Sequence, residues 1–470
     1  MRRDPDRLAR AARGRVVALT LAVLALAVSG LAGCGAAEPP KRAAHRPGST
    51  GANGSRLPAP TTPTRSTGTG VAPAGPAPLG GLHQLQVDLE HEMKLAGKGS
   101  GAYVYDLTTR TPVFSLRAAG KRPPASVEKL FTSMVALYQM GPDVRFRTTV
   151  LGHGRLSASG VWHGSLYLRG GGDPTFGSSG FNHLYELGYG PTVTQLVAQL
   201  RGAGIRRVTG RVIGDASLFD TKVGVPSGGF AADLGDLGGE LSALTYDHGL
   251  SGKLTPGAFA AHALALALRA DHVWALADTR TGTTPVDARP LASVSSPPLG
   301  TLLRLMNVPS DDLFAETLTK QLGVRYAGAG TTAAGAKVIA STLQASYGVH
   351  PKIVDGSGLS RRDSASPLEV VDLLRTVWRT PLGNMLWDSL PTIGVDGTVR
   401  TIATGTPAQG HCIAKTGTLD NVSNLAGYCH SAGKQVLAFA LFVDGPANWQ
   451  ALPLEGKMVA AIARLNPASP

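Results

Sequence analysis

Apolar residues recur at helical spacing from Leu82 onward and predict a helix over 82–95, with Leu85, Val87, Leu89 and Met93 as core positions. Two runs at strand period follow, 101–106 and 111–115, around a turn. Behind Pro123-Pro124 the period becomes helical again: Leu130, Met134, Leu137 and Tyr138 share one face, and Gly141-Pro142 ends it. Residues 147–250 have a different texture. Short β-like runs at 148–151, 165–168 and 208–213 sit between glycine-rich turns, with one or two helices around 192–200. Helical patterns resume at 258–269, 298–306, 311–322, 334–347 and 367–378. Strand-like runs at 412–415, 426–429 and 436–443 precede a last helix over 454–465. Helices, then antiparallel strands, then a helix is α+β logic, with 147–250 as an inserted β-rich domain.

At 470 residues the chain exceeds one ordinary core, so two or more domains are expected. Its 43% hydrophobic and 16% charged residues are those of a globular protein. The net charge of +13 changes meaning once it is located. Residues 1–33 supply +4, from six Arg against two Asp, and 34–80 supply another +4, from five basic residues against Glu38. The remaining +5 is a modest excess, which argues against a nucleic-acid partner. The basic stretch Arg2 to Arg15 followed by the uncharged, Leu/Ala/Val-rich 16–33 has the layout of a signal peptide. It ends in Leu31-Ala32-Gly33-Cys34, which resembles a bacterial lipobox, so Cys34 is the expected lipidation site and membrane anchor. An uncleaved anchor helix is the alternative; both place the rest of the chain outside the cytoplasm. Residues 34–80, Pro, Gly, Ser and Thr with almost no large apolar side chains, predict a disordered spacer. Of three cysteines, Cys412 and Cys429 then remain as a pair. A hairpin pairing position n with 841 minus n sets them opposite each other and predicts a cross-strand disulfide, with two buried free thiols as the alternative.

The candidate chemistry starts at Ser126-Val127-Glu128-Lys129. Residues three apart on a helix lie on one side, so hydroxyl and amine can meet. A serine hydroxyl becomes a nucleophile when a base takes its proton, and a lysine with a lowered pKa can be that base. Alone the spacing says little, because Ser431-Ala432-Gly433-Lys434 has it too and reads as a turn after a strand. Its company is what counts: Ser310-Asp311-Asp312 and Lys415-Thr416-Gly417 follow in order. Gly170-Gly171-Gly172-Asp173-Pro174 reads as a tight turn and not a phosphate cradle, since no Gly-Lys-Ser/Thr follows. No His-Glu-x-x-His or paired Cys-x-x-Cys spacing suggests a metal, and no cofactor motif is present.

With the further matches at Gly170–Pro174, 241–245, Met306-Asn307, 313–316 and 355–361, the chain over roughly 82–465 resembles the D-alanyl-D-alanine carboxypeptidase/endopeptidase family, penicillin-binding protein 4 type, peptidase family S13. The resemblance implies a serine D,D-peptidase/β-lactamase-like domain at 81–146 and 251–470, an antiparallel sheet flanked by helices. It implies peptidoglycan stem peptides as substrate and β-lactams as inhibitors. Ser126 would attack the penultimate D-Ala carbonyl, Lys129 would take its proton, and Ser310 would relay a proton to the leaving amine. Lys415, Thr416 and Thr418 would hold the terminal carboxylate. The N–H groups of Ser126 and Thr418 would form the oxyanion hole, and Gly417 would let substrate approach the strand. Ser357 and Arg361 would border the cleft or serve a turn.

One position departs from the family. Asn is expected where Asp312 stands. Ionised Asp only accepts hydrogen bonds, so it either opposes the substrate carbonyl or pairs with Lys129 and keeps the base protonated. Either slows acylation, which leaves a weak or inactive cell-wall-binding lipoprotein as the second reading. A β-lactamase is a third, and no motif nominates a deacylating Glu for it.

Overall fold

The computed structural model describes residues 81–468. The expected signal peptide at 1–33, Cys34 and the spacer at 34–80 lie outside the described residues. The described chain opens with α1 (Leu82–Leu95), β1 (Gly101–Asp106), β2 (Thr111–Leu116), a 3₁₀ turn (Ala125–Val127) and α2 (Glu128–Met140). A second group follows: β3 (Arg147–Leu156), β4 (Val161–Arg169), α3 (Ser179–Tyr185), α4 (Val193–Gly202), β5 (Arg207–Val208), β6 (Val212–Asp215), α5 (Pro256–Ala270), β7 (Arg280–Thr281) and β8 (Arg289–Ser295). Then come α6 (Leu299–Asn307), α7 (Asp312–Ala327), α8 (Thr332–Thr342), α9 (Pro367–Val377) and α10 (Pro381–Ser389). β9 (Cys412–Leu419), β10 (Val422–His430), β11 (Val436–Asp444) and α11 (Asn448–Arg464) close it.

The first sheet has the order β2-β1-β11-β10-β9 and is antiparallel throughout. The unbroken apolar run of β11 follows from its central place. Leu437, Phe439, Leu441 and Val443 face α1 and α11, while Ala438, Ala440 and Phe442 face the side of α2 and α9. A strand covered on both faces has no polar side to show. β9 lies at the sheet edge, and β10 pairs with it in the expected register, 412 opposite 429 and 419 opposite 422. Cys412 and Cys429 are disulfide-bonded, with 4.0 Å between their Cα atoms, on the α1/α11 face. On the other face α2 is buried from Glu128 through Leu137, packed against α6, α7, α8 and α10.

The second sheet has the order β7-β6-β4-β3-β8, with β5 beside β4. Its core is closed by α4 and α5 through Leu196, Leu200, Leu264 and Leu268. The sequence reading ended this segment at 250, whereas the sheet's elements run to Ser295, because β8 pairs with β3 and α5 shares its core. That pairing closes over about 140 residues of chain and leaves no local signal; Pro290 and the two serines of β8 read as loop.

Smaller differences have local causes. Val87 is exposed, so the buried stripe of α1 is narrower than its apolar pattern, whereas α2 is buried all round through Leu137 and Tyr138 lies exposed just past that stretch. The 208–213 run divides into β5 and β6 around Gly210, where a Cβ would lie 2.4 Å from the Gly164 carbonyl oxygen. The last helix starts at Asn448, earlier than its apolar pattern, with Pro453 inside it and Ala451 buried in the core of the sheet's α1/α11 face. The α+β class expected from the element order holds.

Candidate active site

The Ser126 turn is built against the edge of the sheet. Pro124 sits in the helical region, and Ala125 then takes φ 49°, a left-handed conformation that a Cβ-bearing residue adopts only when its surroundings impose it. Three contacts impose it. Asn424 on β10 donates from Nδ2 to the carbonyls of Pro123 (3.0 Å) and Pro124 (2.9 Å). A Cβ on Gly358 would lie 1.9 Å from the Ala125 oxygen, so the 355–361 loop presses on the turn. At Gly417 a Cβ would lie 2.4 Å from the Pro124 oxygen and 3.0 Å from the Val127 nitrogen. The missing side chain at 417 therefore admits the Ser126 turn to the edge strand, where the sequence reading had it admit substrate.

Ser126, half-buried, stands at the head of α2, and Lys129 follows one turn on with its side chain wholly buried. Lys129 Nζ lies 2.9 Å from Ser126 Oγ, 2.5 Å from Asp312 Oδ1 and 2.9 Å from the Ser357 carbonyl oxygen. Of the two arrangements open to Asp312, the structure has the ion pair with Lys129. Asp312 arrives there because α6 ends at Asn307 and the chain reverses through Ser310, φ 68°. Asp311 then caps α7 by accepting from the Phe314 N–H at 2.9 Å. Burial raises the pKa of Asp312, and the Lys129 ammonium pulls it back. Ser310 Oγ makes no hydrogen bond among the described residues.

Lys415, wholly buried on β9, donates to the Thr416 carbonyl at 3.0 Å. Burial, with Lys129 adding repulsion, holds its amine well below the ordinary lysine range. Thr416 Oγ1 donates to Thr398 Oγ1 at 2.8 Å, and Thr418 is exposed beyond it on the same strand. Ser357 contributes its carbonyl and not its hydroxyl, which turns to Asp355. Arg361 donates to the Asp420 carbonyl in the β9–β10 turn. The second Ser-x-x-Lys, Ser431 to Lys434, is a turn: Ser431 Oγ bonds Gln435 Oε1 at 2.9 Å and Lys434 is exposed.

Four buried polar residues at the site were given no role by the sequence reading: Asn424, which it did not name, and Glu128, Glu316 and Asp355, which it quoted only inside the 126–129 motif and the family matches. Their signal was present as polar residues inside apolar stretches, Ser423-Asn424 in β10 and Glu316 after Leu313-Phe314-Ala315. Burial, with Asp355 adding repulsion, pushes Glu316 up to about 8 and Glu128 well above the carboxylate range. Asp363, buried beside Asp355, is pushed up to about 11.

A serine and a buried lysine within hydrogen-bond reach at the head of a buried helix, beside an edge strand bearing a second lysine, define a serine hydrolase of the penicillin-recognising class. The chain matches the D-Ala-D-Ala carboxypeptidase 3 (S13) family over residues 82–237 and 250–465, and it belongs to that family. It is 27% identical to the D-alanyl-D-alanine carboxypeptidase of an Actinomadura species, over 81% of this chain and 85% of that one. It is 30% identical to carboxypeptidase DacB of Mycolicibacterium smegmatis, over 84% of each. The fold is similar to the crystal structure of penicillin binding protein 4 (dacB) from Haemophilus influenzae, with TM-score 0.65 and 20% identity, covering 78% of this chain and 97% of that one. The family expected from the three motifs and the further matches is thus the family found.

Proposed function

We propose that the chain is a serine D-Ala-D-Ala carboxypeptidase/endopeptidase that trims or cleaves peptidoglycan stem peptides through an acyl-enzyme on Ser126. One observation carries this: a wholly buried lysine amine 2.9 Å from the hydroxyl of a half-buried serine. Ser126 Oγ bonds to the penultimate D-Ala carbonyl carbon as its proton passes to Lys129. The tetrahedral oxyanion faces the N–H groups of Ser126 and Thr418. Ser310 relays a proton to the departing D-Ala amine, and the C–N bond breaks. Water then hydrolyses the ester, with Lys129 taking its proton. Lys415, Thr416 and Thr418 hold the terminal carboxylate, and Asp312 lies against the base. β-Lactams acylate the same serine.

The same reading divides the chain into a D,D-peptidase domain and an inserted domain ending at 295. It places the protein outside the cytoplasm, with the signal peptide removed and Cys34 lipid-anchored to the membrane. A fluorescent penicillin should label the wild type covalently and leave Ser126→Ala unlabelled, and D-Ala should be released from a stem pentapeptide. A wild type unlabelled from pH 5 to 8 overturns the enzyme reading. The Lys129–Asp312 ion pair favours a second reading, a weak or inactive cell-wall-binding module, which that outcome would support.

A further inference from the structure

The 355–360 turn enters the site by its backbone, and two of its peptide units are held at both ends. In the unit joining Gly356 to Ser357, the carbonyl accepts from Thr132 Oγ1 at 2.8 Å and the N–H donates to Glu316 Oε1 at 2.9 Å. In the unit joining Ser357 to Gly358, the carbonyl accepts from Lys129 Nζ at 2.9 Å and the N–H donates to Asp355 Oδ1 at 2.8 Å. A peptide unit is planar, so holding its N–H sets where its C=O points. Glu316 Oε1 also takes the Gly356 N–H at 2.9 Å, and Asp355 Oδ2 takes that of Ser360 at 2.9 Å. The turn has no room to drift: a Cβ on Gly356 would lie 1.7 Å from Thr319 Oγ1. Both acids are wholly buried.

The direction of the Ser357 carbonyl matters for Lys129. A neutral amine has two N–H bonds and one lone pair. With one N–H on Ser357 C=O and the other on Asp312 Oδ1, the lone pair is left facing the Ser126 hydroxyl. We propose that Asp355 and Glu316 are positioning residues for this pair, holding the turn whose carbonyl aims the Lys129 lone pair at Ser126. The proposal rests on the reading of Ser126 as nucleophile and Lys129 as base; neither acid touches substrate.

Acylation by a fluorescent penicillin, resolved into the initial binding constant K and the acylation rate constant k2, tests it. In Asp355→Asn an amide donor replaces one of two N–H acceptors, and k2 should fall about 10²-fold with K within about threefold, since small misplacements of reacting groups cost that much. Glu316→Gln keeps the acceptor oxygen and should hold k2 within about threefold, while Glu316→Ala should lose about tenfold or more. A folded Asp355→Asn with wild-type k2, or a loss confined to K, overturns the proposal. So does an equal fall in Glu316→Gln and Glu316→Ala, which would mean that charge and not hydrogen bonding matters. If Asp355→Asn does not fold, the Glu316 pair decides. A wild type that is never labelled refutes the reading of Ser126 and this proposal with it; a labelled wild type beside an unaffected Asp355→Asn refutes the proposal alone.

Discussion

Replacing Asp312 by Asn should make the enzyme faster. The Asp312 carboxylate lies 2.5 Å from Lys129 Nζ, and the lysine side chain is wholly buried. An ammonium so paired cannot take the Ser126 proton until the pair is broken or neutralised. An adjacent opposite charge typically favours the charged form of its partner by about 1–3 pKa units, or about 1.4–4 kcal/mol. Burial raises the pKa of Asp312 and so works against its charge, which puts the expected gain at the lower end of that range. The Asn variant, neutral and able both to donate and to accept, should therefore acylate about 10- to 100-fold faster at pH 7. Stability should move the other way, by about 1–3 kcal/mol, since a buried lysine loses its counter-charge but can shed its proton instead. Stopped-flow acylation with a reporter penicillin, wild type beside Asp312→Asn from pH 5 to 8, measures the first effect; thermal melts measure the second. The wild-type rate should approach that of Asp312→Asn at low pH, as Asp312 takes up a proton. An unchanged or slower rate in the Asn variant at pH 7 would refute the reasoning.

Gly417→Ala places a Cβ 2.4 Å from the Pro124 oxygen, so the edge strand and the Ser126 turn must separate. Acylation should slow by about 10- to 100-fold, and a wild-type rate would show that the turn can yield without cost to the reaction. Glu455, wholly buried on α11, has its pKa raised by burial from 4.5 to about 8. A raised acid pKa stabilises the fold below the unfolded value and loses that contribution as pH climbs toward the folded one. Wild type should thus lose up to about 4 kcal/mol between pH 4.5 and 8 that Glu455→Gln retains. Parallel melting curves for the two proteins across that window would contradict this.

The sequence held most of the local structure and the order of the chemistry. The 3.6-residue period of Leu130, Met134 and Leu137 carries α2, and the 3₁₀ turn leading into it sets Ser126 one turn from Lys129, within hydrogen-bond reach. The register of β9 on β10, and with it the disulfide, follows from a two-residue connection between antiparallel neighbours. Other features came from parts of the chain that local periodicity cannot relate. β8 joins β3, the 355–360 turn delivers a carbonyl to Lys129, and Asn424 braces the prolines before Ser126, each across a hundred residues or more. Asp312 could have faced a substrate or the base, and only the reversal at Ser310 and the cap on α7 turned it toward Lys129. Gly417 shows the same division: its lack of a side chain was plain in the chain, but which neighbour needs the space was settled when the edge strand met the Ser126 turn. Secondary structure answers to neighbours within a few residues, whereas a buried charge or a missing side chain takes its meaning from whatever the packed core brings against it.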